Sequence, residues 1–475
     1  MFEYSPAPEA QLVRFNDSYG HFINGKFTKP EHTYPTINPA TEQTLSQVSH
    51  GQSKDVDKAV RSARSAFDKS WSKLSGAERG KYLFRIARIM QERAREFAVA
   101  ETLNNGKPIK ETRDFDVPTA VSWFFYYAGW ADKLDHAGYG ANPQPLGVAA
   151  QIVPWNFPLM MLSWKIAPAL AAGNTVVLKP AESTPLTALL FAEVCQQAEL
   201  PDGVVNIVTG FGDTGAALVA HKDVDKVAFT GSTEVGKLIA KQVAGSGKKV
   251  TLELGGKAAN IVFDDAPIDQ AVEGVINGIF FNQGHVCCAG SRLLVQESIH
   301  DEFMRKLKRR MNSLRLGDPM DKNTDVGAIN SSDQLKKITS MVKAGIKEGG
   351  QLWQPECKLP KNGFWFVPSV IENVSPANTV VREEIFGPVL SVLTFRTPDE
   401  AIAKANNTEY GLSAGIWTEK GSKMLHIADQ LNAGVVWSNT FNKFDPTSPF
   451  GGFKESGYGR EGGRQGLLSY LKAGR

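Results

Sequence analysis

Two adjacent cysteines, Cys287 and Cys288, are the residues of this chain with the most evident chemistry. Adjacent cysteines are usually small, buried, apolar residues. These two stand in Gly284-His285-Val286-Cys287-Cys288-Ala289-Gly290, and glycines let a backbone bend around a site. A thiolate in such a turn can attack a carbonyl carbon and form a covalent intermediate. The segment is therefore a candidate nucleophile loop.

Two glycine-rich turns are candidate phosphate-binding loops. The first, Gly210-Phe211-Gly212-Asp213-Thr214-Gly215, matches G-x-G-x-x-G after a predicted strand at 204–208. A lone match of this kind is weak, and Asp225 comes too early to bind a ribose, so a plain tight turn is favoured there. The second turn, residues 230–237, follows another predicted strand and opens a helix. Backbone N–H groups and the Ser232 hydroxyl can hold a diphosphate at such a helix start.

Helices predominate in the first hundred residues. Apolar residues at i, i+4, i+7 and i+11 predict a helix that Ser53 caps, and a second apolar series predicts one helix from about Glu78 to the stop at Asn105-Gly106-Lys107-Pro108. The residues predicted to face inward are Val56, Val60, Ala63 and Phe67 in the first helix, and Leu83, Ile86, Met90 and Phe97 in the second.

From Gly147 onwards, short apolar runs alternate with helical stretches. This alternation is typical of βαβ units on a parallel sheet, with ligands beyond the carboxyl ends of the strands. The predicted fold class is α/β, with two doubly wound lobes and a cleft between them. The predicted strands are 148–153, 175–178, 204–208, 226–229 and 250–254 in the first series, and 260–263, 293–296, 389–395 and 434–437 in the second.

Composition excludes several classes of protein. The 475 residues are 42% hydrophobic and 22% charged, which is ordinary for a soluble globular protein and unlike disorder or a disulfide scaffold. A formal net charge of +3 is too small to indicate nucleic acid or a membrane surface as a partner. No CxxC pair suggests a metal site, and four cysteines suit a reducing compartment. The start of the chain lacks signal-peptide features. The most apolar stretch, 146–178, is broken by prolines and polar residues, which argues against a membrane span. A cytoplasmic protein is therefore expected.

Seven motifs stand in order along the chain. They are Pro154-Trp155-Asn156-Phe157-Pro158, Lys179-Pro180-Ala181-Glu182, Phe229-Thr230-Gly231-Ser232-Thr233-Glu234-Val235-Gly236, Glu253-Leu254-Gly255-Gly256-Lys257, the Cys287 block, Glu383-Glu384-Ile385-Phe386-Gly387-Pro388 and Pro449-Phe450-Gly451-Gly452-Phe453-Lys454. Any one could arise by chance. Together, in this order and spacing, they resemble the aldehyde dehydrogenase superfamily over essentially the whole chain, and 287–297 also resembles a subgroup that carries two such modules.

The resemblance implies a covalent mechanism centred on Cys287. This residue matches the family nucleophile, and Glu253 matches the general base that activates the deacylating water. The Asn156 amide and the Cys287 N–H would form the oxyanion hole, where one donor is typically worth roughly 3–4 kcal/mol. Relatives that transfer the acyl group to coenzyme A generally lack the base, so Glu253 favours a free carboxylic acid as product. Lys165 and Glu461 match a pair thought to relay the proton of the base to solvent, with a structural salt bridge as the equal alternative.

The resemblance also implies NAD as the cofactor. Lys179 and Glu182 match residues that hold the adenine ribose, and a carboxylate there would repel a 2′-phosphate, so NADP is expected to be less preferred. Glu384 resembles the acid that holds the nicotinamide ribose, with Phe386 beside the ring. The other expected cofactor residues are Ile152, Pro154, Trp155, Gly212, Gly231, Ser232, Thr233, Glu234, Val235, Gly236 and Leu254.

An apolar substrate tunnel is the third implied site. Aromatic and methionine residues are more often plain core, and only the resemblance places these in a tunnel. Aliphatic or aromatic aldehydes would then fit better than charged ones, although Lys443 and Asp445 near the mouth could select a polar group. The expected tunnel residues are Phe157, Met160, Met161, Trp164, Phe444 and Phe450.

Domain organisation is likewise taken from the resemblance. It implies an NAD-binding domain over 1–126 and 147–255, a catalytic domain over 256–455, and an oligomerisation element over 127–146 and 456–475. The hairpin segment of that element is short and rich in glycine and proline, and the chain ends where the family's final strand normally follows. A homodimer is therefore expected rather than a tetramer.

His285 departs from the pattern, because the family commonly has Gln at this position. With an ordinary pKa of about 6.5, its ring would add a pH-dependent contribution to thiolate activation; a neutral neighbour is the alternative. For the chain as a whole, the leading hypothesis is NAD-dependent oxidation of an aldehyde to the acid. A catalytically silent structural relative and a cofactor-independent thiol esterase are the other two hypotheses. The presence of Cys287, Glu253 and Asn156 weakens the first, and the matched cofactor residues leave the second at most a side activity.

Overall fold

The computed structural model describes residues 13–473, which form two large sheets flanked by helices. Residues 1–12 and 474–475, the outer ends of two predicted domain ranges, lie outside the described residues. The α/β fold is confirmed, and every predicted strand is present within one residue of its predicted bounds.

The first sheet has eight strands, of which the five central ones are parallel. Ile152 lies opposite both Lys179 and Phe229, and Thr230 lies opposite Glu253. The carboxyl ends of these strands therefore place candidate cofactor residues and the candidate base along one edge. In sheet order the strands are Gly457–Tyr458, Lys249–Glu253, Lys226–Thr230, Val148–Ile152, Thr175–Lys179, Val205–Ile207, Phe22–Ile23 and Lys26–Phe27.

The second sheet has seven strands, parallel except for one edge strand. Its strand Arg292–Gln296 begins shortly after Cys287, so the nucleophile loop leads directly into the middle of this sheet. In sheet order the strands are Gln351–Trp353, Ser369–Glu372, Val389–Phe395, Arg292–Gln296, Ala259–Val262, Ser413–Trp417 and Val435–Ser438.

Helices connect and cover the strands of both sheets. The α-helices are Ser53–Lys69, Gly76–Glu92, Ala94–Asn105, Ile109–Glu111, Val117–Trp130, Pro158–Ala171, Leu186–Gln197, Gly212–Ala220, Thr233–Val243, Ile268–Phe280, His300–Met311, Ser332–Lys347, Thr379–Arg382, Pro398–Asn406, Gly421–Gln430 and Gly463–Leu468. Short 3-10 turns occur at Trp71–Lys73, Leu134–His136, Phe281–Gly284 and Glu297–Ile299, and Thr112–Asp116 is a π-helical segment.

The single helix predicted from about Glu78 to Asn105 is wrong, because the structure has two helices there. The chain leaves the helical conformation at Arg93 (φ −95°, ψ 13°) between Glu92 and Ala94. The Arg93 guanidinium binds Glu96 and Glu193, and these contacts hold the bend. The predicted start near Glu78 and the predicted stop at Asn105 are close to the observed helix ends at Gly76 and Asn105. Ser75 caps the first helix, and Gly106 ends the second in the left-handed region.

The apolar stretch 146–178 is buried core, as predicted. All residues of strands Val148–Ile152 and Thr175–Lys179 and of helix Pro158–Ala171 are buried. Between residues 13 and 473 there is no helix that is both long and apolar enough to cross a membrane.

The segment expected to carry the oligomerisation hairpin forms one short strand in the described residues. Gln144–Pro145 pairs antiparallel with Leu471–Lys472, so the end of the chain supplies the second strand. Prolines cannot donate to a ladder, and Gly138 and Gly140 adopt positive φ, which limits the pairing. The two other small sheets are Ser18–Tyr19 with Thr44–Ser49 and Thr33–Ile37, and Tyr410–Gly411 with Phe453–Lys454.

Candidate active site

One cavity of about 930 Å³, partly open to solvent, lies where the two sheets present their carboxyl ends. It brings together four of the five predicted catalytic residues: Asn156, Glu253, Cys287 and Glu461. The predicted cofactor residues Pro154, Trp155, Gly231, Ser232, Leu254, Glu384 and Phe386 line the same cavity, as do all six predicted tunnel residues.

The nucleophile loop is shaped by left-handed residues that precede Cys287. Asn282 (φ 49°) and Gln283 (φ 52°) adopt this conformation despite having side chains, and Gly284 (φ 73°) follows them. A Cβ on Gly284 would lie 2.2 Å from the Gly387 oxygen, so only glycine fits this approach. The Asn282 side-chain amide donates to the main-chain oxygens of Asn156 at 2.7 Å and of His285 at 3.3 Å. The first of these bonds connects the loop to the segment that carries Asn156.

The Cys287 thiol is half-buried, and its pKa is raised well above the ordinary value. The side chain of Cys288 is the largest cause, followed by burial and by the negative charge of Glu384. The resting nucleophile is therefore a thiol at neutral pH, and its proton must leave during the reaction.

Glu253 ends its strand in the buried wall of the cavity. Neither of its carboxylate oxygens has a hydrogen-bond partner among residues 13–473. Burial raises its pKa well above the ordinary range, Glu461 and Cys287 raise it further, and Lys165 opposes them. These surroundings favour the protonated, neutral form of the Glu253 carboxyl group in the resting site.

Lys165 and Glu461 form a buried ion pair behind Glu253. The Lys165 ammonium donates to Glu461 Oε1, while Glu461 Oε2 has no partner in the described part of the chain. The Glu461 backbone is fixed by two hydrogen bonds with Phe450, at 2.6 and 2.8 Å, which link the pair to the tunnel wall. Lys165 itself does not line the cavity, although its charge reaches Glu253.

The Asn156 side chain is oriented by the nucleophile loop. Its Nδ2 donates to the His285 oxygen at 2.8 Å, two residues before Cys287. An amide nitrogen carries two hydrogens, so one N–H remains for a ligand in the cavity.

The interpretation of His285 as a titrating group near neutral pH is not supported. Its ring is fully buried, and neither ring nitrogen has a partner among the described residues. Burial and the charge of Lys107 lower its pKa to about 3, which keeps the ring neutral. The ring lies 4.8 Å from that of Trp155 and 5.9 Å from that of Phe386, measured between centroids. His285 is therefore the neutral neighbour of the alternative interpretation.

The predicted diphosphate turn opens helix Thr233–Val243 as expected. Ser232 caps this helix by accepting from the Val235 N–H at 3.3 Å. A Cβ on Gly236 would lie 2.4 Å from a Leu254 methyl group, so glycine is needed where the helix meets the next strand end. Gly231 and Ser232 line the cavity, whereas Thr233, Glu234, Val235 and Gly236 lie outside it.

The predicted adenine-ribose residues lie at the same sheet edge, beyond the cavity. Lys179 is buried and stands 3.6 Å from the Glu182 carboxylate, which is about half exposed. Burial lowers the Lys179 pKa and Glu182 opposes this. Gly215 packs against Lys179 and Ile152, and Gly212 begins the neighbouring helix.

Glu384 and Phe386 reach the cavity from the second sheet. The Glu384 carboxylate accepts from the Gly256 N–H at 2.9 Å, and burial raises its pKa. Phe386 adopts φ 55°, a strained conformation for an aromatic residue, and packs its ring 5.2 Å from Trp155.

The six predicted tunnel residues form an aromatic wall. Trp164 lies 5.3 Å from Phe450 and stacks at 4.6 Å on Trp123, which the sequence did not single out. Lys443 and Asp445 line a smaller neighbouring cavity rather than this one. The main wall is therefore apolar.

Sequence reasoning missed a buried polar cluster next to the nucleophile loop and the start of helix Pro158–Ala171. It is formed by Glu101, Lys107, Glu111 and Asp116. Glu101 accepts from the Leu159 N–H at 3.3 Å. Glu111 accepts from the Asn282 N–H at 2.9 Å. The Lys107 ammonium donates to Asp116 at 2.7 Å and lies 4.0 Å from the centre of the Phe157 ring. Burial raises the pKa of Glu101 to about 7 and that of Glu111 to about 8.

Other contributions were missed as well. Gln334 and Lys337, from helix Ser332–Lys347, line the cavity, and no motif pointed to that helix. Within residues 13–473 there is no group of three or more side chains suited to hold a metal ion.

Comparison with known proteins gives a consistent result. The sequence model described as "Aldehyde dehydrogenase family" matches residues 27–474. The mitochondrial aldehyde dehydrogenase of Rattus norvegicus is 44% identical over 482 residues, covering 98% of this chain and 92% of that protein. The structure of an NAD+ complex of aldehyde dehydrogenase from Bacillus cereus has a TM-score of 0.94 at 42% identity, covering 98% of this chain and 97% of that chain. An indole-3-acetaldehyde dehydrogenase from P. syringae has a TM-score of 0.93 at 41% identity, with 98% and 96% covered.

Proposed function

The chain belongs to the aldehyde dehydrogenase family, and we propose that it oxidises an aldehyde to the free carboxylic acid with NAD as the preferred cofactor. The observation that carries this proposal is the meeting of Asn156, Glu253 and Cys287 with Glu384 and Phe386 in one cavity.

The residues around the cavity fit a dinucleotide. A Cβ on Gly255 would stand 2.4 Å from the Glu384 carboxylate, so the absent side chain leaves this acid free to face a ribose. The N-terminus of helix Thr233–Val243 suits a diphosphate, and Glu182 with Lys179 suits the second ribose. NAD, when bound, supplies the hydride acceptor.

Cys287 is the proposed nucleophile. Its sulfur bonds to the carbonyl carbon as the thiol proton passes to water in the solvent-open cavity, and the carbonyl oxygen becomes an oxyanion. The free N–H of Asn156 and the Cys287 N–H donate to that oxyanion, with each donor typically worth roughly 3–4 kcal/mol. As the oxyanion collapses, a dinucleotide held by Glu384 and the start of helix Thr233–Val243 would take up the hydride, and the acyl group would remain on Cys287 as a thioester.

Glu253 is the proposed base for hydrolysis of this thioester. It takes a proton from water as the water oxygen attacks the acyl carbon, and the acid leaves as the sulfur is released. Its raised pKa means that it must first lose its own proton. We assign this transfer to the Lys165–Glu461 pair, whose charges already influence Glu253.

The apolar wall favours aliphatic or aromatic aldehydes as substrates. The P. syringae protein is named an indole-3-acetaldehyde dehydrogenase, so arylacetaldehydes belong in any substrate panel. We further propose the domain boundaries that the resemblance implies, a cytoplasmic location and a homodimer. Light scattering tests the last point, because a mass of four chains would contradict it.

A panel of aldehydes, followed by the absorbance of reduced cofactor with NAD and NADP in parallel, tests the function. Wild type is expected to turn over with NAD, C287A is expected to be inactive, and C357A, which changes an exposed cysteine, is expected to match wild type. Cysteine-dependent ester hydrolysis without any cofactor-dependent turnover would favour the thiol esterase. If neither aldehyde oxidation nor ester hydrolysis is detected while NAD still binds, the catalytically silent structural relative is favoured.

A further inference from the structure

Two buried cations, Lys257 and Arg292, lie together, and neither forms an ion pair with an acidic side chain of residues 13–473. Each is about 2% exposed. Arg292 donates to three main-chain oxygens, those of Lys257, Lys404 and Ala405, at 2.8, 3.1 and 2.8 Å. The Lys257 ammonium has no hydrogen-bond partner among residues 13–473.

Both cations line a small cavity that is separate from the candidate active site. Its empty volume is about 280 Å³, opening included. Asn406, Thr408 and Asn432, which are half-buried or exposed, stand at its rim, so a small solute has a route inward. We name it the Lys257–Arg292 pocket.

Burying an unpaired charge is costly, so an anion bound in the pocket would favour the charged form of Lys257. Arg292 stays protonated at any physiological pH, even though burial lowers its pKa to about 10. Burial and Arg292 lower the pKa of Lys257 to about 7, and the carboxylates that oppose this, Glu384 and Glu383, do not hydrogen-bond to it. An anion in the pocket would accept from the Lys257 ammonium and would offset the positive charge of both side chains.

We propose that the Lys257–Arg292 pocket binds one small monovalent inorganic anion of halide size. The pocket is small, and the Lys257 ammonium offers it unused hydrogen-bond donors, which suits a compact ion without a fixed hydrogen-bonding geometry. A dinucleotide or a substrate with a chain does not fit in this space.

The pocket lies directly behind the nucleophile loop. Ser413, in its wall, donates to the Cys288 oxygen at 3.1 Å. The N–H of Gly256, which precedes Lys257, donates to Glu384. A Cβ on Gly256 would lie only 2.4 Å from the Cys287 main-chain oxygen, so a side chain does not fit there. An anion that fixes Lys257 therefore also steadies the segment that positions Glu384.

Bromide is the probe for the first test, because its anomalous scattering identifies it without reference to activity. Crystals of the full chain grown without halide are soaked in sodium bromide and, separately, in sodium gluconate. The expected result is an anomalous peak within hydrogen-bonding distance of Lys257 Nζ. A water molecule alone at this position, with bromide peaks only elsewhere, would overturn the proposal.

The melting temperature in bromide and in gluconate at equal ionic strength gives the second test. Bromide is expected to stabilise wild type, because a ligand that binds only the folded state raises the melting temperature. K257M should lose roughly tenfold or more in bromide affinity, and K248M should behave as wild type. Lys248 is a suitable control because its ammonium, unlike that of Lys257, donates to main-chain oxygens and does not line the pocket. An unchanged bromide response in K257M would overturn the assignment, and if K257M does not fold, the anomalous map of wild type decides.

Discussion

Glu111 offers a direct test of the buried cluster, because its pKa shift makes stability depend on pH. Its carboxyl group is fully enclosed, and the pKa rises from 4.5 to about 8 mainly through burial, with Lys107 as the largest opposing charge. The folded protein therefore holds a proton on Glu111 that the unfolded chain releases above pH 4.5. The contribution of Glu111 to stability is thus present at acid pH and is lost as pH rises towards 8.

The substitution E111Q removes this dependence and keeps the shape of the side chain. A glutamine oxygen can still accept from the Asn282 N–H, which Glu111 accepts at 2.9 Å. With the shift given above, linkage predicts that the variant gains roughly 3.5 kcal/mol on wild type between pH 5 and pH 8. The measurement is the melting temperature of both proteins across that range. The gap should widen with pH by several degrees.

E92Q is the control, since Glu92 is an exposed acid at the end of helix Gly76–Glu92. Its melting temperature should run parallel to that of wild type at every pH. Parallel curves for E111Q as well would refute the reasoning, because Glu111 would then be ionised in the folded protein.

Three further predictions concern the proposed chemistry. N156A should lower kcat/KM roughly 10²–10³-fold through loss of one oxyanion donor, with NAD binding followed by fluorescence as the control; a loss below about tenfold would remove Asn156 from this role. E253Q should lower kcat roughly 10²–10⁴-fold and retain the first-turnover burst of reduced cofactor. It should also lose the rise of rate with pH that the raised pKa of Glu253 predicts. A missing burst would place Glu253 before hydride transfer. E182Q should raise NADP use relative to NAD by roughly tenfold, or about 1.4 kcal/mol, because the charge that repels a 2′-phosphate is gone; an unchanged ratio of the two kcat/KM values would contradict this.

The strands were predictable because their signals are local. Runs such as 226–229 are apolar, of strand length and bounded by turn residues, and the structure places that strand at Lys226–Thr230. The long helix was mispredicted at Arg93, since a bend held by Glu96 and Glu193 depends on a residue a hundred positions away. Apolar periodicity carries no information about such a contact.

The buried cluster escaped prediction for a related reason. Glu101, Lys107 and Glu111 occur in a segment whose only sequence signal was a helix stop, and single charged residues are usually on the surface. Only the packing of helix Ala94–Asn105 against Thr112–Asp116 and helix Leu186–Gln197 encloses these side chains. The same packing brings Glu111 to the Asn282 N–H. The proximity of Lys257 to Arg292 was not predicted for the same reason, although Lys257 stands inside a recognised motif.

The charge states at the centre of the site follow from burial rather than from residue type. The sequence indicates a thiolate at Cys287 and a carboxylate at Glu253, yet the surroundings raise the pKa of both groups well above their ordinary values, and His285 is neutral as well. A half-buried thiol is less readily oxidised than a thiolate, because oxidation follows thiolate character and exposure. The resting site therefore protects its nucleophile, and the two protons that it holds on Cys287 and Glu253 have to depart before the sulfur and the carboxylate can act. The Lys165–Glu461 pair lies behind Glu253, and its Glu461 Oε2 has no partner among the described residues, which makes this oxygen the acceptor that the arrangement offers for the Glu253 proton.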